Sequence, residues 1–271
     1  MGSLNIGDIV TRKSYNGDVY FRIVDIKQSR DAEPVYVLKG LLYRLKADSR
    51  ASDLLKHDSS EVTNHIKRGI SECERNSTVR PVFHRVPLFR KYRARVSRIL
   101  HLDSDSEYLD ICLKHYAKFN LRAVGKLADE SEQPYFIRNL LEANNPDLLV
   151  ITGHDSMKKG TGDVNSLNNY SNSKYFVQSV HEARQYQPDF DKLCIFAGAC
   201  QSNYEAIIDA GANFASSPGR VLINVLDPAL VSEKVALTDH RILLTPRQIA
   251  KITVTGKDGI GGINTYGHLY N

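Results

Sequence analysis

Along residues 5–46 apolar and polar positions alternate with a period of two. "GDIVTRK", "VYFRIVDI", "PVYVLKGL" and "YRLKAD" each read as a short strand, and Asn16-Gly17 between the first two is a hairpin signal. Several short strands in so few residues predict a small SH3-like or Tudor-like β-barrel over residues 1–50. Barrels of this kind bind peptides or nucleic acid, or dock on a neighbouring domain; docking or substrate recruitment is favoured here. "ASDLLKHDSSEVTNHIKRGISE" reads as a short helix and is followed by an Arg/Pro-rich stretch, so residues 51–92 are predicted to be a helical and basic linker.

From residue 93 the period switches. Strands are expected over 94–103, 121–128, 147–154 and 192–199, and helices over 106–119, 132–144, 174–186 and 202–211; further strands and one more helix follow. Near-continuous apolar strands, each followed by a run of helical period, imply a mostly parallel sheet covered on both faces. Residues 93–271 are therefore predicted to be a three-layer α/β domain.

Composition adds boundaries. At 271 residues the chain is long enough to bury a core without staples. The four cysteines, Cys73, Cys112, Cys194 and Cys200, are scattered without a CxxC pair, which argues against a zinc site or a disulfide scaffold. No cofactor is called for. "MGSLNIGDIV" lacks the layout of a signal peptide, and no apolar run is long enough to span a bilayer, so a soluble intracellular protein without a membrane partner is expected. Net charge is +5, and it is concentrated: between Lys67 and Arg98 ten Lys and Arg face two acids, Glu72 and Glu74. Such a strip could hold phosphates or an acidic partner. With Pro81 and Pro87 interrupting any regular face, a solvated linker is the simpler reading, and no nucleic-acid partner is expected.

The candidate chemistry lies in two parallel phrases. "LLVITGHD" (148–155) and "LCIFAGACQS" (193–202) are each an apolar run followed by a small-residue turn and a reactive side chain, His154 in one and Cys200 in the other. In an open α/β sheet, functional residues gather beyond the carboxyl ends of the strands. Neighbouring strands would thus bring imidazole and thiol to one edge. A thiol attacks a carbonyl as thiolate, and a nearby imidazole raises the thiolate fraction. Cys200 is assigned as nucleophile, favoured by the positive end of the helix expected just after it. His154 is the base, later the acid to the leaving amine. Backbone N–H groups of Cys200 and of Asp155 or Gly153 would form the oxyanion hole. Cys194, mid-strand, is expected to be inert.

These phrases resemble the clan of caspases, clostripain, gingipains and separase, whose apolar blocks end in His-Gly and Ala-Cys. Ala199-Cys200 is kept, whereas Asp155 stands where the clan has Gly. More narrowly, "GDIVTRKSYNGDVYFRIVDI", "YVLKGLLYRLKADS", "ITGHD" and "FAGACQSN" are similar from end to end to the YabG family of sporulation-specific proteases. The resemblance implies a caspase-like α/β peptidase domain and a cysteine endopeptidase cutting after Arg. It also implies spore coat proteins as substrates and action in the mother cell cytoplasm and at the forming coat. An acid at the base of the arginine pocket would come from Asp103 or Asp105 in "HLDSDSE", with Asp103 preferred; Asp103, Ser104 and Asp105 are equally natural helix N-caps. The Arg-rich segment 75–98 is an expected site of self-cleavage.

Other signals are weaker. Gly160-x-Gly162 lacks the rest of a phosphate-binding motif and reads as a loop flanking the active site. The Gly-rich 256–268 reads as a surface turn, and nothing ties Asp239-His240 to Cys200. A Rossmann-like nucleotide binder is disfavoured, since no strand is followed by GxGxxG. The rival class is a non-enzymatic scaffold whose barrel and basic linker bind nucleic acid or acidic coat partners.

Overall fold

The computed structural model describes residues 3–29, 32–77, 97–158, 160 and 163–270. The chain divides into two compact units, Met1–Arg75 and Asn76–Asn271.

In the first unit β1 (Ile9–Arg12), β2 (Phe21–Ser29), β3 (Ala32–Gly40), β4 (Lys46–Arg50) and β5 (Leu54–His57) form one antiparallel sheet in the order β4-β3-β2-β1-β5. The Asn16-Gly17 turn lies between β1 and β2 with both residues at positive φ, 54° and 70°, the backbone this pair tolerates best. Val10, Phe21, Ile23 and Leu38 are fully buried. The helix expected from residue 51 begins later: Ala51–Asp53 is a 3₁₀ turn, Leu54–His57 is β5, and α1 runs Ser59–Ser77. Two causes are visible. Asp58 accepts hydrogen bonds from the N–H groups of Ser60 (2.8 Å) and Glu61 (3.1 Å), which caps the helix there. Leu54–His57 pairs with Ile9–Arg12, a partner remote in sequence. Most of the basic strip, and with it the expected self-cleavage segment, lies outside the described residues.

The second unit follows the predicted alternation: β6 (Arg98–Asp103), α2 (Ser106–Lys118), β7 (Arg122–Leu127), α3 (Gln133–Asn144), β8 (Leu148–Ile151), α4 (Ser173–Tyr186), β9 (Cys194–Ala197), α5 (Tyr204–Asp209) and β10 (Phe214–Ser216). Two helices come after these where one was expected, α6 (Asp227–Ala236) and α7 (Pro246–Ala250). The short strands β11 (Leu243–Leu244), β12 (Ile260–Gly262) and β13 (Thr265–Tyr266) complete the unit. The sheet order is β12-β10-β9-β8-β6-β7, parallel throughout except for β12. β11 and β13 form a separate antiparallel pair.

The alternation of side chains along each strand builds two cores. Leu148 and Val150 of β8 pack with Cys194 and Phe196 of β9 against Cys112 and Tyr116 of α2 and Val231 and Val235 of α6. Leu149, Ile151, Ile195 and Ala197 face the other way, towards Ile137 and Leu141 of α3 and Phe176 and Val180 of α4. Both sheet faces are covered, which explains why β8 and β9 are buried at every position. Among the described residues no helix is long and apolar enough to cross a membrane.

Because Leu149 is fully buried in the α3/α4 core, Leu149→Ala is expected to cost about 2–5 kcal/mol of stability. Urea unfolding of the full chain checks this, with an unchanged midpoint as the contrary result.

Candidate active site

Numbered within the sheet, β6, β7, β8, β9 and β10 take the order 2-1-3-4-5, so the direction of winding reverses between β6 and β8. A crevice opens beyond the carboxyl ends at such a switch point. Ile151 of β8 is registered with Leu102 of β6 on one side and Ala197 of β9 on the other. His154 and Cys200 each lie three residues beyond the Ile151/Ala197 pair. The two chains leave the sheet side by side, and the predicted common edge is real at the level of the backbone.

His154 is held from several directions. Its N–H donates to Glu130 Oε1 (2.6 Å), and its carbonyl accepts from Asn172 Nδ2 (2.8 Å). Its Nδ1 lies 3.2 Å from Ser104 Oγ, which donates to Glu130 Oε1 (2.5 Å). With the Ser104 proton directed to Glu130, Nδ1–H donates to Ser104, and Nε2 is left with its lone pair. Nε2 is buried and has no hydrogen-bond partner; Asp105 Oδ2 is 4.0 Å away. This leaves the nitrogen able to accept a proton from a group brought up to it. Burial raises the Glu130 carboxyl, but the His154 ring, its Nδ1 3.6 Å from Oε1, and hydrogen bonds from Ser104 and the His154 N–H outweigh it and hold the group at about 2. Gly153 is required by this arrangement, since a Cβ there would collide with the Glu130 carboxyl.

Below the histidine loop a buried polar chain braces the end of β8. Tyr116 OH is 3.0 Å from His101 Nδ1, His101 Nε2 is 2.9 Å from Thr152 Oγ1, and Thr152 Oγ1 donates to Asp103 Oδ2 (2.8 Å). Gln133 Nε2 donates to the Thr152 carbonyl (2.9 Å). Asp103 is fully buried, and its Oδ1 accepts from Asp105 N. Asp105 is the N-cap of α2, accepting from Glu107 N (3.0 Å) and Tyr108 N (3.3 Å). Of the two acids expected at an arginine pocket, one is thus inside the brace and the other caps a helix while facing His154.

Asp155 joins the two reactive loops. Its carboxylate accepts from Ser156 N, Asn172 N and Ser173 Oγ, and Ser173 Oγ in turn accepts from Asn203 N (2.8 Å), three residues past Cys200. Burial pushes the Asp155 carboxyl above its ordinary value, against these hydrogen bonds. These contacts give a physical reason for an aspartate side chain at position 155.

Cys200 is fully buried. Its Sγ accepts from the N–H of Ile223 (3.1 Å). The expected stabilisation by a following helix end is corrected on this point: α5 begins at Tyr204 behind an Asn203 cap, and the N–H aimed at the sulfur comes from residue 223. Gly198, at φ +112°, allows the turn before Cys200 and packs against Ser216 and Ile207. At Cys194 burial raises the thiol to about 12, keeping it protonated and unreactive. Among the described residues no group of three or more His, Cys, Asp or Glu is placed to hold a metal ion.

A family model described as YabG peptidase U57 matches residues 5–271. The chain belongs to the YabG peptidase family. It is 39% identical over 281 residues, covering 97% of this chain and 96% of the relative, to the sporulation-specific protease YabG of Bacillus subtilis (strain 168). No solved structure matches the chain. Membership in a YabG peptidase family favours hydrolysis of peptide bonds in protein substrates over the non-enzymatic scaffold.

Of the residues around His154, Glu130 was not singled out from sequence, and Ser104 was read there only as a natural helix N-cap. The acidic stretch "ADESE" just beyond β7 was the available signal for Glu130. Glu130 stays ionised in the folded chain between about 2 and its ordinary 4.5 while the unfolded chain takes up the proton there. Its contribution is therefore complete above 4.5 and lost as pH falls towards 2. Glu130→Gln is expected to be less stable than wild type by about 1–3 kcal/mol at pH 7. In urea unfolding the gap closes as pH drops through that window; a gap independent of pH would contradict the assignment.

Proposed function

We propose that the chain is a cysteine endopeptidase of caspase-like architecture that cuts after arginine. The observation that carries this reading is the register of β8 and β9, which sends His154 and Cys200 off adjacent strands at equal distances past a paired position. The sheet order 2-1-3-4-5, extended by one antiparallel strand, supports the caspase-like comparison. For the first unit, the order β4-β3-β2-β1-β5 with a 3₁₀ turn between β4 and β5 supports an SH3-like barrel, proposed as a docking or recruitment module.

The orphaned Nε2 of His154 takes the Cys200 proton, and the thiolate attacks the scissile carbonyl carbon. The tetrahedral oxyanion is received by main-chain N–H groups of Cys200 and of Asp155 or Gly153. The Asp155 carboxylate is engaged with α4, so what this residue offers a substrate oxygen is its backbone. His154 then protonates the leaving amine, and water activated by the same imidazole hydrolyses the acyl-enzyme. Glu130, through Ser104, keeps Nδ1 protonated and Nε2 available, a positioning role. Asp105 Oδ2 and Glu130 Oε1 lie 4.0 and 3.6 Å from the His154 ring nitrogens and make the potential there negative, which supports a basic residue at the cleavage site.

By the name of the B. subtilis relative, the proposed setting is sporulation. Spore coat proteins are the proposed substrates, met in the mother cell and at the forming coat, and self-cleavage in segment 75–98 accompanies activity. Incubation of an Arg-rich protein with wild type and Cys200→Ala tests the reading. Wild type is expected to cleave it after Arg and to shorten its own chain. Cys200→Ala is expected to do neither, with a rate reduced by about 10³-fold or more. Equal cleavage by both would end the cysteine-peptidase reading.

A further inference from the structure

The described chain keeps Cys200 closed off from solvent. Ile223, itself fully buried, directs its N–H to Sγ. One residue beyond Cys200, the Gln201 N–H donates both to the Val221 carbonyl (3.1 Å) and to Ser217 Oγ (3.1 Å), and Ser217 Oγ donates to the same carbonyl (2.9 Å). Residues 217–223 therefore form a strap against the nucleophile's loop. A peptide bond cannot reach a fully buried sulfur, so any attack by Cys200 requires part of its cover to move, and the strap, with Ile223 against Sγ, is a segment in direct contact with it.

The strap is latched by an arginine. Arg220 sits at positive φ, 55°, and sends its guanidinium into a cradle made by two other segments. Its Nε donates to Tyr170 OH (2.8 Å), its Nη2 pairs with the Glu205 carboxylate, and its Nη1 donates to the Ser217 carbonyl (3.2 Å). Tyr170 is buried, and its hydroxyl is aimed by donating to the Val164 carbonyl (2.7 Å). Glu205 stands five residues beyond Cys200, in the first turn of α5, and its side chain is half exposed. A buried, oriented hydroxyl with a solvent-facing carboxylate next to the nucleophile's loop is a receptor for a guanidinium, and in this state the chain's own arginine fills it.

We propose that Tyr170 and Glu205 form the binding site for the arginine side chain of the substrate, and that Arg220 occupies it in the resting chain as an internal competitor. This rests on the reading of Cys200 as nucleophile. Entry of a substrate arginine displaces Arg220, releases residues 217–223 and draws Ile223 away from the sulfur, so recognition of arginine and exposure of the thiol are one event. A lysine ammonium lacks the planar fork that meets the tyrosine oxygen and the carboxylate through separate nitrogens. By reciprocity, removing the internal arginine opens the strap without substrate.

The test has two arms. In the first, alkylation of Cys200 by iodoacetamide is followed by peptide mass spectrometry in wild type and in Arg220→Asn, with Cys112 and Cys194 as buried controls; asparagine tolerates the positive φ. Loss of a charge-assisted latch is expected to speed labelling of Cys200 about tenfold or more. Labelling unchanged or slower overturns the strap. In the second, kcat/KM is compared for peptides with arginine or its neutral isostere citrulline before the scissile bond, in wild type and in Glu205→Gln. In the variant the ratio of kcat/KM for the arginine peptide to that for the citrulline peptide is expected to fall about tenfold or more. A preference kept intact in Glu205→Gln overturns the receptor. A latch of purely structural value would lower both rates together, which also counts against the proposal. Hydrolysis of either peptide by Cys200→Ala would instead overturn the cysteine-peptidase reading, and the labelling arm is independent of that outcome.

Discussion

Parallel pairing of β8 with β9, Ile151 opposite Ala197, is the constraint on which the site depends. It converts two segments 46 residues apart in sequence, His154 and Cys200, into neighbours in departure from the sheet. The pairing is secured by burial on both faces: alternate residues of these strands enter different cores, so a slip of one residue would exchange the two sets. The loops beyond the strand ends are then free to be chosen for chemistry. Gly153 and Gly198 give backbone room, and Asp155 and Asn203 beyond them are linked through Ser173.

Polar bracing on the histidine side differs from the closure on the cysteine side. His154 is fixed by Glu130, Ser104 and Asn172, and by the His101–Thr152–Asp103 chain beneath the end of β8. Cys200 is sealed by a segment that arrives from beyond β10 and is fastened at Arg220. On the proposed reading of His154 as base and Cys200 as nucleophile, the imidazole is held in place and what the thiol still requires is access. Asp155, through Ser173 and Asn203, ties the loop that carries His154 to the one that carries Cys200.

Much of the second unit was legible because its strands and helices have strong local periods. Helices α2, α3 and α4 begin and end within a residue or two of the expected positions, and the apolar phrases at 148 and 193 were recognisable as buried strands. The hairpin at Asn16-Gly17 was legible because left-handed backbone there is a local property. The features that escaped were decided by partners remote in sequence. Leu54–His57 became a strand because β1 offered it an edge. Glu130 entered the site because β7 ends next to β6, and Arg220 because its loop folds back over Cys200. Asp103 and Asp105 were rightly placed at a strand end, but sequence could not show that Asp103 is spent on a buried threonine and Asp105 on a helix cap.

The central claim, one thiol activated by one imidazole at a shared sheet edge, is tested most directly by covalent trapping. A peptidyl-arginine chloromethyl ketone is incubated with wild type and with His154→Ala, and the modified residue is located by mass spectrometry. The account predicts a single adduct, on Cys200, forming quickly in wild type and at least about 10²-fold more slowly without the imidazole. Modification at another residue, or at Cys200 with a rate indifferent to His154, would contradict it.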